Sequence, residues 1–77
     1  MKALIEYLAR ALARQPDQVV VEEEHRDGGE HVILHLSCAE EDKGRIIGRE
    51  GRVANAMRSI LHVAATRAGV RATLSID

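Results

Sequence analysis

Apolar positions near the start of the chain recur with the period of an α-helix. In residues 2–14 they follow the i, i+1, i+4, i+7 and i+8 spacing of one helix face. The members of this stripe are Leu4, Ile5, Leu8, Ala11 and Leu12. Pro16 follows, and the residue before a proline disfavours helical geometry. The pattern therefore predicts an amphipathic helix over residues 2–14 that ends before Pro16.

The period changes to that of β-strands in the next part of the chain. Residues 18–26 (QVVVEEEHR) are β-branched at the start and acidic towards the end, whereas residues 31–37 (HVILHLS) alternate. One face of the second segment carries Val32, Leu34 and Leu36, and the other carries His31, Ile33 and His35. Between them, DGGE at 27–30 supplies two glycines that are free to take positive φ. The pattern predicts a β-hairpin whose second strand is half-buried.

A helical pattern with two interruptions follows the hairpin. The segment from Ser37 to Glu40 matches a capping box, with serine followed by glutamate three residues later. It predicts a short helix from about Ala39 to Ile46 or Ile47. A longer helix is predicted from about Arg52 to Ala68, since Gly69 is a C-cap signal. Its predicted apolar stripe consists of Val53, Met57, Ile60, Leu61 and Ala64.

The last segment, residues 70–76, alternates again and predicts a third strand. Its inward positions are Val70, Ala72, Leu74 and Ile76. The predicted order is therefore helix, strand, strand, helix, helix, strand. Each strand alternates, so the sheet hides one face only, and three amphipathic helices are available to cover it. The sequence predicts a single α+β domain of two layers over residues 1–77.

Charge is distributed unevenly along the chain, although the net charge is only -1. Residues 1–42 hold 4 basic and 10 acidic residues, whereas residues 43–71 hold 7 basic residues and one acid, Glu50. This asymmetry indicates a polyanionic partner for the basic part. Within residues 43–71, we expect Arg58, Arg67 and Arg71 to be solvated surface residues and not direct contacts to the partner.

Composition excludes several other classes of function. Cys38 is the only cysteine, which fits a reducing compartment, and no apolar run approaches the roughly 20 residues of a membrane span. With no signal-peptide pattern either, we expect a cytoplasmic protein. Tyr7 is the only aromatic residue, so a platform of stacked aromatic rings is excluded.

The histidines and hydroxyl groups do not form a pattern typical of catalysis. His25, His31 and His35 lie on the predicted hairpin, but no cysteine pair joins them to complete a zinc site. Ser37 is assigned to the helix cap, and no Gly-Lys-Ser/Thr follows a strand as a nucleotide-binding loop requires. We therefore expect no enzyme activity, no cofactor and no metal.

The stretch GRIIGREGR, residues 44–52, combines features that suit a phosphate group. The four residues Gly48–Gly51 join two helices, and the N–H groups at the start of the second helix form an anion site. Arg49 and Arg52 add positive charge beside it. Of the pair Ile46 and Ile47, we expect one to enter the core and the other to floor a shallow groove. A cationic rim with an aliphatic floor suits an unpaired nucleotide.

The longer stretch GRIIGREGRVANAMRSIL resembles the core of a KH domain, whose hallmark is an I-G-x-x-G loop between two helices. The element order resembles the type II arrangement, which implies a three-stranded mixed sheet with three helices on one face. Chain length and layout resemble the small bacterial single-KH proteins of the KhpA/YlqC family. KH domains bind single-stranded RNA or DNA, and the loop clamps about four nucleotides. The residues that the resemblance implies for RNA binding are Arg45, Ile46, Ile47, Gly48, Arg49, Glu50, Gly51 and Arg52.

The resemblance also implies a role and partners. The role is RNA chaperoning or post-transcriptional regulation, linked to cell elongation and division. The partners are a second copy of the chain or a larger KH protein of the KhpB/Jag kind, and an exposed edge at Ile60 or Val63 is a candidate contact. Glu50 departs from the basic or small residues that the family favours in the loop. Because of Glu50, an alternative function stays open. In this alternative the chain is a protein-interaction module with a weakened loop, and it acts mainly as a dimerisation partner of a larger KH protein.

Overall fold

The computed structural model describes residues 1–77 and contains the six predicted elements in the predicted order. They are α1 (Lys2–Leu12), β1 (Val20–Arg26), β2 (His31–Ser37), α2 (Lys43–Ile47), α3 (Arg52–Ala68) and β3 (Arg71–Ile76). Short 3₁₀ turns lie at Pro16–Gln18, Asp27–Gly29, Glu40–Asp42 and Arg49–Gly51. The α+β class is therefore confirmed, and β2 and α3 have the predicted bounds.

The three strands form one mixed sheet in the order β1-β2-β3. β1 and β2 are antiparallel and are joined by the turn at Asp27–Gly29, whereas β2 and β3 are parallel. A parallel pair requires a long crossover, and α2 and α3 supply it. In the register, Leu34 of β2 lies opposite Leu74 of β3, and Leu36 lies opposite Val21 of β1. All four of these side chains are buried on the same face.

The helices cover that face of the sheet and form the core with it. α1 packs on β1, α3 packs on β3, and α2 packs against α3. The core cluster contains Ile5, Ala9, Val19, Val21, Val32, Leu34, Leu36, Ile46, Met57, Leu61 and Leu74. The opposite face of the sheet carries no helix. Ile33 lies on that face and is still only 7% exposed, because the facing residues Glu24 and Thr73 flank it across the strands.

The predicted stripe of α3 was wrong by one position at several points. The buried residues are Ala54, Met57, Leu61 and Ala65, whereas Ile60 is 45% exposed. Alanines at two of these positions let the helix lie close to the sheet. Val53 beside Ala54 is partly buried against the core, whereas Ile60 beside Leu61 turns outwards. The predicted stripe of α1 was also partly wrong, because Ala9 is buried and Ala11 is exposed.

The predicted capping box does not form. Ser37 remains in β2, where it pairs with Val20, and no side chain caps either the Glu40–Asp42 turn or α2. The continuous ladder holds Ser37 in extended geometry, so the helix cannot begin beside it. α2 therefore begins at Lys43, four residues later than predicted.

Candidate nucleic-acid interface

The connection between α2 and α3 is a tight loop with unusual backbone angles. Gly48, Glu50 and Gly51 all have positive φ, at 78°, 57° and 74°. The Gly51 N–H donates to the Gly48 carbonyl at 3.1 Å and closes a turn over Arg49 and Glu50, where the angles of Glu50 (φ 57°, ψ 25°) interrupt helical geometry. The loop thus joins α2 to α3 within four residues.

The glycine at the start of the loop is required by close packing. Gly48 has φ 78° and ψ 172°, a combination that is essentially restricted to glycine. A Cβ atom at this position would lie 2.5 Å from Cγ2 of Val53 and 2.9 Å from its backbone nitrogen. The main chain at Gly48 therefore lies directly against the first turn of α3. Gly51 is left-handed, but a Cβ there would meet nothing closer than Asn55 Nδ2 at 3.9 Å.

A buried carboxylate holds α2 in position behind the loop. Asp42, which directly precedes α2, accepts hydrogen bonds from the backbone N–H groups of Arg14 and Gln15, each at 3.0 Å. These two bonds stabilise the charged form and lower the pKa of Asp42. They also explain why α1 ends two residues earlier than predicted. The chain becomes extended at Ala13, and the next two amides then reach the carboxylate.

The surface around the loop is rich in arginine. Arg45, Arg49 and Arg52 are all exposed, and no side chain caps the first turn of α3. Amide N–H groups of that turn are therefore available to an anion, and the helix dipole favours negative charge at this end. Glu50 lies within the same surface, with its carboxylate 3.7 Å from Nη2 of Arg52. The surface around the loop thus has three cationic groups and one acidic group.

The two isoleucines before the loop have different environments. Ile46 is completely buried in the core, so its side chain supports α2 from below and does not line an accessible surface. Ile47 is 38% exposed and lies next to the loop. The expectation that one of the pair enters the core is confirmed for Ile46, whereas the groove expected beside Ile47 stays a prediction.

A polar contact that the sequence did not predict joins α3 to β3. The guanidinium of Arg58 donates from Nε and Nη2 to the carbonyl of Leu74, at 3.4 and 3.3 Å, and from Nη1 to Oδ1 of Asn55 at 3.2 Å. Arg58 is exposed, as predicted, and it makes these hydrogen bonds as well. The i, i+3 spacing of Asn55 and Arg58 was a signal for their contact, but the carbonyl partner lies 16 residues away.

Several other polar side chains form pairs. His25 contacts Glu23, His31 contacts Thr73, and no group of three or more His, Cys, Asp or Glu residues has the arrangement of a metal site. His35 donates to Glu24, and this bond, followed by the contact with Arg26, lowers the pKa of Glu24.

The lone thiol differs from these pairs. Burial, more than any other effect, raises the pKa of the Cys38 thiol, which favours its neutral and unreactive form at neutral pH.

None of the helices has the length and apolar character needed to cross a bilayer.

Comparison with known families agrees with this architecture. The family model of the KhpA/KhpB KH domain matches residues 2–76. The chain belongs to this KH-domain family. The family is non-catalytic, so the chain is not an enzyme.

Curated relatives match the chain over nearly its full length. RNA-binding protein KhpA of Halalkalibacterium halodurans is 42% identical over 76 residues, which are 99% of this chain and 97% of that protein. RNA-binding protein KhpA of Treponema pallidum is 42% identical over 73 residues, covering 95% of this chain and 89% of the relative. The protein of the same name from Clostridium acetobutylicum is 40% identical over 76 residues, with 99% of each chain covered.

Solved structures share the fold at low sequence identity. Era in complex with MgGDPNP and nucleotides 1506–1542 of 16S ribosomal RNA matches 97% of this chain with a TM-score of 0.59 and 20% identity. Aquifex aeolicus Era bound to GDP and AlF4− matches with a TM-score of 0.61 and 18% identity. The chain spans 29% and 28% of the length of these two Era chains. The likeness confirms the expected type of KH fold.

Proposed function

We propose that the protein binds single-stranded RNA and that its Gly48–Gly51 loop clamps the phosphate backbone. The observation that carries this proposal is the shape of the loop. Gly48 lies against the first turn of α3, no side chain caps that turn, and the flanking arginines are exposed. The names of the curated relatives, which are RNA-binding proteins, support the same conclusion.

The physical argument for phosphate concerns access and charge. Gly51 leaves the main chain open to a bulky anion, because the position of a Cβ there is free apart from Asn55 Nδ2 at 3.9 Å. The first-turn amides of α3 then donate to the phosphate oxygens, and the positive end of the helix dipole adds attraction. Arg49 and Arg52 supply full charges on either side of Glu50, with Arg45 one turn before the loop. These groups recognise the backbone and carry no base information.

Bases would lie over the surface between the loop and β3. Ile47 provides an exposed aliphatic contact there, and the chain contains no aromatic ring near this surface, since Tyr7 lies on α1. Recognition in this groove therefore rests on van der Waals contact and on hydrogen bonds to base edges.

Binding by one copy is expected to be weak, because a loop of four residues touches few phosphates. A dimer would raise the avidity of binding. Ile60 and Val63 are 45% and 56% exposed on the outer side of α3, and this apolar surface supports self-association or pairing with a larger KH protein of the KhpB/Jag kind. In the cytoplasm, such an assembly would act as an RNA chaperone or post-transcriptional regulator linked to cell elongation and division.

The second candidate function is a protein-interaction module, and Glu50 favours it. The carboxylate lies among the cationic groups and pairs with Arg52, so it opposes the approach of phosphate. In this case the exposed apolar part of α3 would be the working surface and the loop would contribute little.

A titration of fluorescent, unstructured RNA separates the two candidates. Fluorescence anisotropy is measured at several salt concentrations for the parent, for Arg49→Glu and for Arg67→Glu. Arg67→Glu is the control, because it makes the same charge change at an exposed position at the far end of α3. For about three phosphate contacts, the log–log salt plot should have a slope of roughly −2.

The proposal expects Arg49→Glu to weaken binding at least about tenfold, which corresponds to roughly 1.4 kcal/mol, while Arg67→Glu changes it little. Equal losses in the two variants would show that only net charge matters. No binding by the parent at low salt would favour the interaction module.

A further inference from the structure

One side chain links the candidate loop surface to the sheet. Arg58 extends from the middle of α3 to the backbone of β3, where Nε and Nη2 share the carbonyl of Leu74. Nη1 donates to Oδ1 of Asn55. A guanidinium has five N–H donors. Three are engaged here, and Nη1 and Nη2 each retain one that is not.

The carbonyl that Arg58 contacts belongs to the open edge of the sheet. β3 is an edge strand, and its pairing with β2 fixes which groups face outwards. The Arg71 N–H donates to Glu30 O and the Asp77 N–H donates to Leu36 O, so odd-numbered residues bond to β2. Leu74 therefore directs its backbone groups away from the sheet, while its side chain is buried beneath. Arg58 thus lies over an otherwise open strand edge.

Asn55 connects this edge to the loop. Its Nδ2 is the nearest atom, at 3.9 Å, to the position that a Cβ on Gly51 would occupy, and its Oδ1 accepts from Arg58. At 1.5 Å rise per residue, Arg58 lies roughly 10 Å along α3 from Gly51. A clamp of about four nucleotides covers this distance, so the bases of a strand held at Gly51 reach the guanidinium.

The hydrogen bonds of Arg58 orient the side chain without holding it firmly. Their lengths, from 3.2 to 3.4 Å, are at or beyond the long end of the usual range for N–H···O bonds. The residue is also exposed. The guanidinium is therefore directed across the groove before ligand binds, and it can shift to accommodate a base.

We propose that Arg58 is a specificity-determining residue that selects bases with two neighbouring hydrogen-bond acceptors. Guanine offers O6 and N7, and cytosine offers O2 and N3. Adenine places its amino group between N1 and N7, and uracil places its N3–H between O2 and O4, so neither base offers two neighbouring acceptors to a guanidinium. Paired donation by arginine to adjacent acceptors is a frequent specific contact with nucleic acid bases. This inference rests on the proposed function, because it requires an RNA strand in the groove.

The test uses short RNAs of adenine and uracil with one variable position, moved along the strand in successive oligonucleotides. The variable base is guanine, cytosine or adenine, and two analogues separate the edges of guanine. Inosine keeps O6 and N7, whereas 7-deazaguanine lacks N7. Binding by anisotropy is compared for the parent, Arg58→Lys and the control Arg67→Lys, which keep the net charge and lie on the same helix.

The expected result is a preference of roughly tenfold for guanine or cytosine over adenine at one position. Arg58→Lys should remove this preference and retain salt-dependent binding, because the charge remains and the paired donors are lost. Arg67→Lys should keep the preference. If guanine is selected, inosine should bind like guanine and 7-deazaguanine like adenine; a preference for cytosine alone identifies the other edge. A structural role in covering the strand edge would change urea stability and leave base preference unaltered.

Two results would overturn the inference while leaving the proposed function intact. One is binding of the parent that does not depend on the variable base at any position. The other is a base preference that persists in Arg58→Lys. Absence of binding to every oligonucleotide would overturn both this inference and the proposed function.

Discussion

Replacing each of three glycines around the loop by alanine should change the free energy of unfolding in three different ways. Gly48→Ala introduces a Cβ that meets Val53 at 2.5 Å and its backbone nitrogen at 2.9 Å. The backbone geometry alone costs about 1–3 kcal/mol for a residue other than glycine, and displacement of the first turn of α3 adds about 1–3 kcal/mol. We expect Gly48→Ala to lower the free energy of unfolding by about 3 kcal/mol.

The other two glycines serve as matched controls. Gly51→Ala meets no atom within 3.9 Å, so only the left-handed backbone at φ 74° opposes it, at about 1 kcal/mol. Gly44 lies inside α2 with nothing within 4 Å of an added Cβ. Gly44→Ala should therefore raise stability by about 0.5–1 kcal/mol through the higher helix propensity of alanine.

Urea denaturation followed by circular dichroism measures these differences. For a domain of this size the total stability is on the order of 4–11 kcal/mol, and the urea m-value is about 1 kcal/mol per molar. The midpoint of Gly48→Ala should fall by roughly 3 M relative to the parent, far more than that of Gly51→Ala. The reasoning about close approach would be refuted if Gly48→Ala were as stable as Gly51→Ala, or if Gly44→Ala were the least stable of the three.

Three further outcomes are expected. Glu50→Gln should tighten RNA binding by roughly twofold to fivefold at low salt, because it removes a repulsive charge and frees Arg52, and the gain should shrink as salt screens the surface; an unchanged affinity at low salt would contradict this. The pKa of Asp42 is lowered in the folded state, so its contribution to stability is complete above pH 3.8, the ordinary value, and is lost as the pH falls through the lowered pKa. Asp42→Asn should therefore be less stable than the parent at pH 6 in urea denaturation, and the difference should shrink in strong acid; a constant difference would contradict the assignment. Ile60→Glu should keep the protein monomeric at concentrations where light scattering shows a dimer of the parent, and a parent that is monomeric throughout would contradict the dimer.

The elements that the sequence predicted well are those with a strong local signal. The apolar positions Val32, Leu34 and Leu36 on one face, together with the turn residues at 27–30, predicted the bounds of β2. Glycines on either side of α3 gave both of its ends, and Gly69 has the left-handed angles expected of a C-cap. The position of the loop between two helices was predicted for the same reason. Its proposed role in binding RNA stays a prediction.

The features that the sequence did not predict depend on residues far apart in the chain. Asp42 ends the acidic run from Glu40 and has no local mark of burial, since its partners are the backbone amides of Arg14 and Gln15. The contact of Arg58 with Leu74 also involves a backbone atom, which no side-chain pattern reveals. The inward positions of Ala54 and Ala65 depend on how closely α3 approaches the sheet, which the apolar period of the helix alone does not determine.

The bonds from Asp42 to the two amides after α1 have a consequence for how this unit could be engineered or divided. They tether the short helix before the glycine loop to a segment 27 and 28 residues earlier in the chain. A fragment transplanted onto another scaffold with only α2, the loop and α3 would carry a carboxylate stripped of both donors. Deleting the first fifteen residues would therefore remove both donors and weaken the support of the helix that precedes the loop.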